Sequence, residues 1–114
     1  MAITSEIIGK LGGAGAEVIP VEGAASGPRG STEVLATIDV PAGETWLVAA
    51  IGQVTPASVS QPPQLQLGDG VSTEAPMGTH GLVTTATESI SLSINRRTPN
   101  GTDSFTGHVY TVKL

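Results

Sequence analysis

Alternating apolar and polar residues along one central stretch predict that this chain folds into β-strands. Between positions 33 and 40 every second residue is apolar, namely Val34, Ala36, Ile38 and Val40. A period of two is typical of a strand with one buried face, so these four side chains are expected to point inward. A turn-forming run, Pro-Ala-Gly-Glu at 41–44, comes next, and residues 45–51 are apolar on both faces, as in a deeply buried strand. The stretch 33–54 therefore predicts a central hairpin.

The remaining strand patterns are short and are separated by loops that contain glycine and proline. Strands are predicted at 64–67, 82–87, 88–95 and 105–114. The segment 88–95 is the most regular, because Ile90, Leu92 and Ile94 alternate with serines. Six to eight short strands at intervals of roughly ten residues predict an all-β chain. The expected architecture is an antiparallel two-sheet β-sandwich, for which a jelly roll is one topology that fits.

Turns and loops are predicted from glycine, proline and a lack of periodicity. The run Gly-Asp-Gly at 68–70 predicts a tight turn, and Asn-Gly at 100–101 predicts a second hairpin. Residues 55–63 and 72–81 show no alternation, so both are expected to be surface loops.

Residues 1–32 differ in pattern from the rest and are predicted to form an N-terminal arm and linker, leaving 33–114 as the sandwich domain. The apolar residues of this arm are the candidate interface: Ile3, Ile7, Ile8, Leu11, Val18, Ile19 and Val21. The spacing of the first members fits two helical turns and also one face of a strand, so both interpretations stay open. For the last three members, the alternative is an edge strand of the chain's own sheet.

Composition and charge narrow the classes of partner. Hydrophobic residues make up 39% of the 114 positions but aromatic residues only 3%, so the core must consist mainly of aliphatic side chains. Such a core buries less area per residue, which favours association with other subunits. The net charge is −5 and the five basic residues form no stripe, so neither nucleic acid nor an anionic membrane is expected as a partner. No signal peptide or membrane-spanning run is expected either.

No arrangement of residues predicts catalysis. His80 and His108 lie 28 positions apart, and no nucleophile motif accompanies them. The spacing also lacks the neighbouring ligands of a metal site, and the chain has no cysteine. We therefore expect no enzymatic activity, no metal and no cofactor. Arg96 and Arg97 are expected to flank a loop in solvent, with an acidic neighbour or partner as the alternative.

Three stretches carry a resemblance to a known group of proteins. They are AITSEIIGKLGG near the N-terminus, EVLATIDVPAGETWLVAAIGQV in the middle and GHVYTVKL at the C-terminus. The chain resembles small structural proteins of tailed-bacteriophage virions, in particular capsid decoration (cement) proteins. The resemblance implies a homotrimer or other cluster on the capsid exterior, at junctions between major capsid subunits. It further implies the major capsid protein as partner, no enzymatic activity and synthesis in the host cytoplasm.

The expected function is therefore that of a non-enzymatic virion structural protein that decorates and stabilises a bacteriophage capsid. The arm is expected to dock on neighbouring subunits or on capsid protein through its aliphatic side chains. The alternative is a phage tail or fibre-tip protein that binds a host receptor or glycan in a groove between the loops 55–63 and 72–81. A stand-alone carbohydrate-binding module is less favoured, because such sites need exposed aromatic residues.

Overall fold

Eight strands make up the regular structure of the described chain. The computed structural model describes residues 16–114. Its strands are β1 (Ala16–Ala25), β2 (Thr32–Ile38), β3 (Trp46–Thr55), β4 (Gln64–Leu67), β5 (Val71–Glu74), β6 (Gly78–Ala86), β7 (Ile90–Asn95) and β8 (Asp103–Lys113). None of these residues is helical, and this part of the chain accordingly offers no helix that could cross a membrane. The prediction of an all-β chain is confirmed for the described residues.

The strands form two antiparallel sheets of four strands each, packed as a β-sandwich. Sheet A has the order β1-β8-β3-β6 and sheet B the order β2-β7-β4-β5. The pairing is nested, since β1 pairs with β8, β2 with β7, β3 with β6 and β4 with β5. The chain is thus organised as one long hairpin whose strand pairs alternate between the two sheets. The two-sheet antiparallel sandwich predicted from the sequence is confirmed.

Four of the connections gather at one end of the sandwich, which we call the loop end. They are residues 26–31, 56–63, 75–77 and 96–102. Backbone hydrogen bonds join them, from Arg96 N to Ser31 O at 2.8 Å and from Ala75 N to Pro63 O at 2.8 Å. The opposite end carries the connections 39–45, 68–70 and 87–89. The loop end is therefore one continuous surface built from four separate parts of the sequence.

The core lies between the sheets and is almost entirely aliphatic, as the composition predicts. Its most deeply buried side chains come from both sheets: Val48, Val54, Leu65, Leu67, Leu92, Ile94, Phe105 and Val109. Phe105 is the one fully buried aromatic side chain of the described residues, and its ring lies where a Cβ at Gly52 would have to sit. Trp46 packs against the edge of this core, and its Nε1 donates to Glu44 Oε1 at 3.0 Å.

The predicted central hairpin over 33–54 is wrong. β2 pairs with β7 in sheet B, whereas β3 lies in sheet A between β6 and β8. The predicted turn does form, since Glu44 N donates to Pro41 O at 3.1 Å, but it leads the chain from one sheet to the other. A turn and two flanking patterns do not specify whether the strands pair with each other, because strand pairing is decided by non-local contacts.

The predicted alternation of β2 is interrupted at Leu35. The register with β7 shifts between Val34 and Ala36, which marks a β-bulge. A bulge adds one residue to one strand and turns the following side chains over. As a result Leu35 packs against the core while Val34 is 54% exposed, so the expectation that Val34 points inward is wrong. Ala36 and Ile38 contact the core as predicted.

The loop predicted at 72–81 and the hairpin predicted at 100–101 also differ from the structure. Residues 72–81 lie mostly in β5 and β6, with only 75–77 between them. The Asn-Gly pair at 100–101 does not form a hairpin, because β7 and β8 belong to different sheets. The tight turn predicted at 68–70 is confirmed: it joins β4 to β5, and Gly68 has a positive φ of 66°.

The segment 16–25 of the predicted arm is a strand of the sandwich itself. β1 pairs along its whole length with β8, from Ala16 opposite Val112 to Ala25 opposite Asp103. Val21 is 5% exposed and belongs to the core, and Ile19 packs against it. The structure therefore shows the alternative interpretation of this segment, an edge strand of the chain's own sheet.

Candidate interaction surface

The outer face of sheet A is the largest apolar surface that the register of the strands assembles. Residues opposite each other in antiparallel strands point to the same side of the sheet. One row of this face runs across all four strands and consists of Val18, Tyr110, Ala49 and Val83. The rows on either side of it also contain apolar residues, among them Leu47 and Ile51. The apolar and aromatic members of the face are Val18, Pro20, Leu47, Ala49, Ile51, Val83, His108, Tyr110 and Val112, and the same register adds Thr85 and, beyond Ile51, the polar row Glu22, Thr106, Gln53 and Thr79.

Sheet B packs on the opposite side of sheet A, so no other described strand covers this face. Val18 is 50% exposed, and Leu47, Ile51, Val83 and Tyr110 are each partly exposed. The apolar residues on both sides of β3 predict a strand buried on both faces. The structure buries the inner face under sheet B, while within residues 16–114 the outer face is flanked by neighbouring strands of its own sheet and covered by no second layer.

The continuity of this face distinguishes it from ordinary surface hydrophobicity. Ala49 is 1% exposed although it points outward, because taller side chains flank it across the sheet at Tyr110 and Val83. Strands lie about 4.8 Å apart and alternate residues about 6.8 Å, so three rows over four strands cover on the order of 300 Å². This footprint is at the lower end of the roughly 300–600 Å² of the largest apolar patch on a typical monomer, and such patches are often functional.

The outer face of sheet B has the opposite character. Most of the residues that point away from sheet A carry hydroxyl or amide groups. They include Thr37, Gln64, Gln66, Ser72, Ser91, Ser93 and Asn95. They pair with one another: Asn95 Nδ2 donates to Gln66 Oε1 at 3.2 Å, and Gln64 Nε2 donates to Ser72 Oγ at 3.3 Å. These polar groups bond to one another, and Val34, opposite Ser93 and 54% exposed, is the large apolar side chain that the register places on this face.

The loop end is held together by a buried ion pair. Arg96 Nε lies 3.1 Å from Asp103 Oδ2, and both side chains are fully buried. The other guanidinium nitrogens donate to Gly27 O at 2.9 Å and to Asn100 O at 3.0 Å. Asp103 Oδ1 accepts from Ala57 N at 2.7 Å. The pair thus connects three of the four loops, and its satisfied hydrogen bonds make its role structural.

Arg96 and Arg97 were both predicted to flank a loop in solvent, and the two side chains differ in burial. The guanidinium of Arg96 is buried and has an acidic partner, so its assignment to a solvated loop flank is wrong. The side chain of Arg97 is 53% exposed, as predicted for a solvated loop flank. The alternative, an acidic neighbour, is shown for both residues, since Arg97 lies 3.6 Å from Glu74 and Arg96 lies 3.1 Å from Asp103. The alternation that places Ile94 inward continues to Arg96 and not to Arg97, so the period of two was the signal that separates the two residues.

A small polar pocket of about 170 Å³ lies on the loop end. It is lined by Arg29, Ser60, Gln61, Pro62, Glu74 and Arg97. The loop 55–63 contributes to it as the expected groove requires, whereas the 72–81 region contributes only the end of β5. The pocket is shallow and charged, and its chemistry is suited to a polar ligand.

The two histidines are not brought together. His80 pairs with Gly52 on the inner side of sheet A, and its Nε2 lies 2.6 Å from Pro76 O. His108 is opposite Ile51 and therefore belongs to the outer face, with its ring centroid 6.1 Å from that of Tyr110. Among residues 16–114 no group of three or more His, Asp or Glu side chains is placed to hold a metal ion.

The structure places the predicted interface residues in different parts of the sandwich, where it describes them. Val18 lies on the outer face of sheet A, whereas Ile19 and Val21 are used by the chain's own core. Four others lie outside the described residues: Ile3, Ile7, Ile8 and Leu11. Apart from Val18, the predicted interface did not include the residues of this face, although the apolar residues on both sides of β3 were a signal that its outer side is apolar.

Comparison with known proteins yields no matching family model, no similar characterised sequence and no similar solved structure.

Proposed function

We propose that this protein is a non-enzymatic virion structural protein that decorates and stabilises a bacteriophage capsid by binding at junctions between major capsid subunits. It acts on the capsid exterior as a homotrimer, after synthesis in the host cytoplasm. The nested strand pairing supports a jelly-roll topology for the domain, because eight strands in two Greek keys require this order. No chemistry on a substrate is part of the proposal.

The observation that carries the proposal is the apolar outer face of sheet A. The inner faces of both sheets already build the core, so folding does not require aliphatic residues at Leu47, Ile51 or Val83. Apolar side chains that remain partly in water after folding stabilise a complex when a partner covers them. Each fully covered aliphatic side chain contributes about 1.5–3 kcal/mol before the ordering costs of association.

Many weak contacts suit a protein that covers a shell. A face on the order of 300 Å² is small beside the roughly 800 Å² per partner of a stable complex. Copies that cluster at a junction gain through multivalency, since binding of the first site raises the effective concentration for the next. The absence of basic stripes on an acidic chain further supports a protein partner rather than nucleic acid.

Co-sedimentation with capsids tests the proposal. The full chain is mixed with parent-phage capsids that lack it, and the bound fraction is measured after centrifugation. Ile51→Glu puts a charge in the middle of the outer face of sheet A and is expected to weaken binding at least tenfold. Ser93→Glu adds the same charge to the outer face of sheet B and is the matched control. Equal binding of both variants, or no binding of the wild type, contradicts the proposal.

The polar pocket at the loop end supports a second candidate, a tail or fibre-tip protein that binds a host receptor or glycan. Its side chains at Gln61, Glu74 and Arg97 offer the donors and acceptors that hydroxyl-rich ligands need. Electron microscopy of labelled particles separates the two candidates, because the label lies on the head in the first and at the tail in the second. Arg97→Met should abolish glycan binding only in the second.

A further inference from the structure

β6 is an edge strand of sheet A, and its outer edge has no strand beside it among residues 16–114. The order β1-β8-β3-β6 gives it β3 as a neighbour on one side only. It pairs with β3 without interruption, from Gly78 opposite Val54 to Ala86 opposite Trp46. In an antiparallel strand, alternate residues direct their N–H and C=O groups to opposite sides. Half of the backbone groups of β6 therefore point away from the sandwich and can pair with another extended chain.

The other three edges of the sandwich each carry a feature that hinders such pairing. β1 contains Pro20, which has no N–H to donate. β2 is interrupted by the bulge at Leu35, and β5 is only four residues long. Charged side chains add to this effect, with Glu33 in β2 and Glu74 in β5. Prolines, bulges, charges and short length are the means by which proteins keep sheet edges from pairing.

β6 has none of these features. It runs for nine residues, Gly-Thr-His-Gly-Leu-Val-Thr-Thr-Ala at 78–86, and contains no proline and no Asp, Glu, Lys or Arg. Its register with β3 shows no bulge. On a chain whose net charge is −5, this strand lets a second copy approach with no like charges directly opposite each other. β6 is therefore the one edge of the described sandwich that is open to pairing.

We propose that β6 of one copy pairs antiparallel with β6 of a second copy, so that the two A sheets form one sheet of eight strands. A two-fold axis through the middle of an antiparallel pair puts each outward N–H opposite a C=O of the same strand in the other copy. Pairing over the full length places Leu82 on that axis and forms on the order of eight backbone hydrogen bonds. Pairing of β6 with any other edge would meet the proline, the bulge or the short strand, so a second β6 is the occupant.

This contact goes beyond the proposed function and does not require it. Edge pairing leaves the outer face of sheet A open, and the two faces continue across the axis to a surface on the order of 600 Å². The contact is also compatible with trimers, because two-fold axes between two trimers join them into a hexamer. Loss of the contact halves the mass of the particle in either case, from dimer to monomer or from hexamer to trimer.

Sedimentation equilibrium of the full chain tests the contact with two matched variants. Val83 and Val18 lie in the same row of the outer face of sheet A, one in each of its edge strands. A lysine on an edge strand hinders pairing, and in Val83→Lys two lysines approach each other beside the axis. Val83→Lys is expected to weaken self-association at least tenfold and to halve the mass of the particle. Val18→Lys adds the same charge to the opposite edge and is expected to keep the mass of the wild type.

A wild type that sediments as a monomer or as a trimer overturns the inference, and so does an unchanged mass in Val83→Lys. An equal loss of mass in both variants also overturns it, because the copies then associate through the outer face of sheet A. Thermal melting confirms that each variant is folded.

Amide hydrogen exchange of the wild type provides a second measurement, which needs no substitution. The outward amides of β6 should exchange at least tenfold more slowly in concentrated than in dilute protein, while the amides of β1 should exchange equally in both. Protection of β6 that is independent of concentration, or that appears only when capsid protein is added, overturns the inference. Capsid co-sedimentation is read separately: self-association without capsid binding refutes the proposed function alone, and capsid binding without self-association refutes this inference alone.

Discussion

The outer faces of the two sheets are built in the same way but differ in chemistry. Each uses the alternate positions of four antiparallel strands, and the inner positions of both sheets are equally apolar. Outside, sheet A presents aliphatic residues such as Leu47 and Ile51, whereas sheet B presents serines and amides. Folding of the sandwich needs only the inner faces. The difference between the outer faces is therefore the basis for proposing that sheet A is the side that binds a partner.

The largest effect on stability is expected from removing the buried ion pair that connects the two sheets. Arg96 follows β7 of sheet B, and Asp103 begins β8 of sheet A. Arg96→Met leaves the buried carboxylate of Asp103 without its cation, so the free energy of unfolding should fall by about 3–5 kcal/mol. Denaturation in urea, monitored by tryptophan fluorescence, measures the loss.

Arg97→Met is the control for that experiment, because it removes an exposed ion pair one residue away. Its cost should be less than about 1 kcal/mol. The double variant Arg96→Met/Asp103→Leu should recover part of the loss, since no unpaired charge then remains buried. Similar costs for the two single arginine variants would show that the ion pair does not hold the loop end.

Truncating one leucine in each sheet sharpens the comparison. Leu92 is fully buried on the inner face of sheet B, and Leu47 is partly exposed on the outer face of sheet A. Leu92→Ala should lower the free energy of unfolding by about 2–5 kcal/mol, because it leaves a cavity. Leu47→Ala should cost about 1 kcal/mol in the isolated chain, since much of its surface is still in water.

Capsid binding should rank the same two variants in the opposite order. Leu47→Ala should weaken co-sedimentation, while Leu92→Ala should bind normally under conditions where it is folded. Chemical denaturation and sedimentation of the same samples provide both measurements. If Leu47→Ala destabilised the isolated chain as much as Leu92→Ala does, the outer face would already be part of the folded core.

The smallest expected effect concerns a buried hydroxyl on the inner side of sheet A. Thr111 is 1% exposed, and its Oγ1 has no hydrogen-bond partner among the described residues. Thr111→Val removes this unsatisfied group and should raise the free energy of unfolding by about 1 kcal/mol. Thr106→Val, on the exposed side of the same strand, is the control and should change stability by less than about 0.5 kcal/mol. A loss of stability in Thr111→Val would mean that the hydroxyl has a partner.

Local sequence patterns predicted the positions of the strands better than the pairing between strands. The regular alternation at 88–95 and the Gly-Asp-Gly turn at 68–70 were read correctly, because periodicity and positive φ depend on neighbouring residues alone. The bulge at Leu35 was not predictable, because it is defined by the register with β7. The hairpins expected over 33–54 and at 100–101 failed because each turn joins strands of different sheets.

For the candidate interaction surface, too, the sequence indicated a property of one strand but not which strands lie beside it. The apolar residues on both sides of β3 indicated that its outer side would be shielded, and the outer face of sheet A is centred on that strand. The sequence could not show that Val83, Tyr110 and Val18 share this face, because they come from three distant strands. Nor could it show that Ile19 and Val21 are used in the core.

By itself, the sequence determined the structural class of this protein: a chain of short strands with an aliphatic core and a net negative charge. Those properties follow from composition and from periods of two, which neighbouring residues impose. Only the tertiary structure decided which strands pair, and with that which acidic residue pairs with the buried Arg96 and which aliphatic side chains stay outside. Strand pairing depends on residues far apart in the chain, so it decides which side chains remain available to a partner.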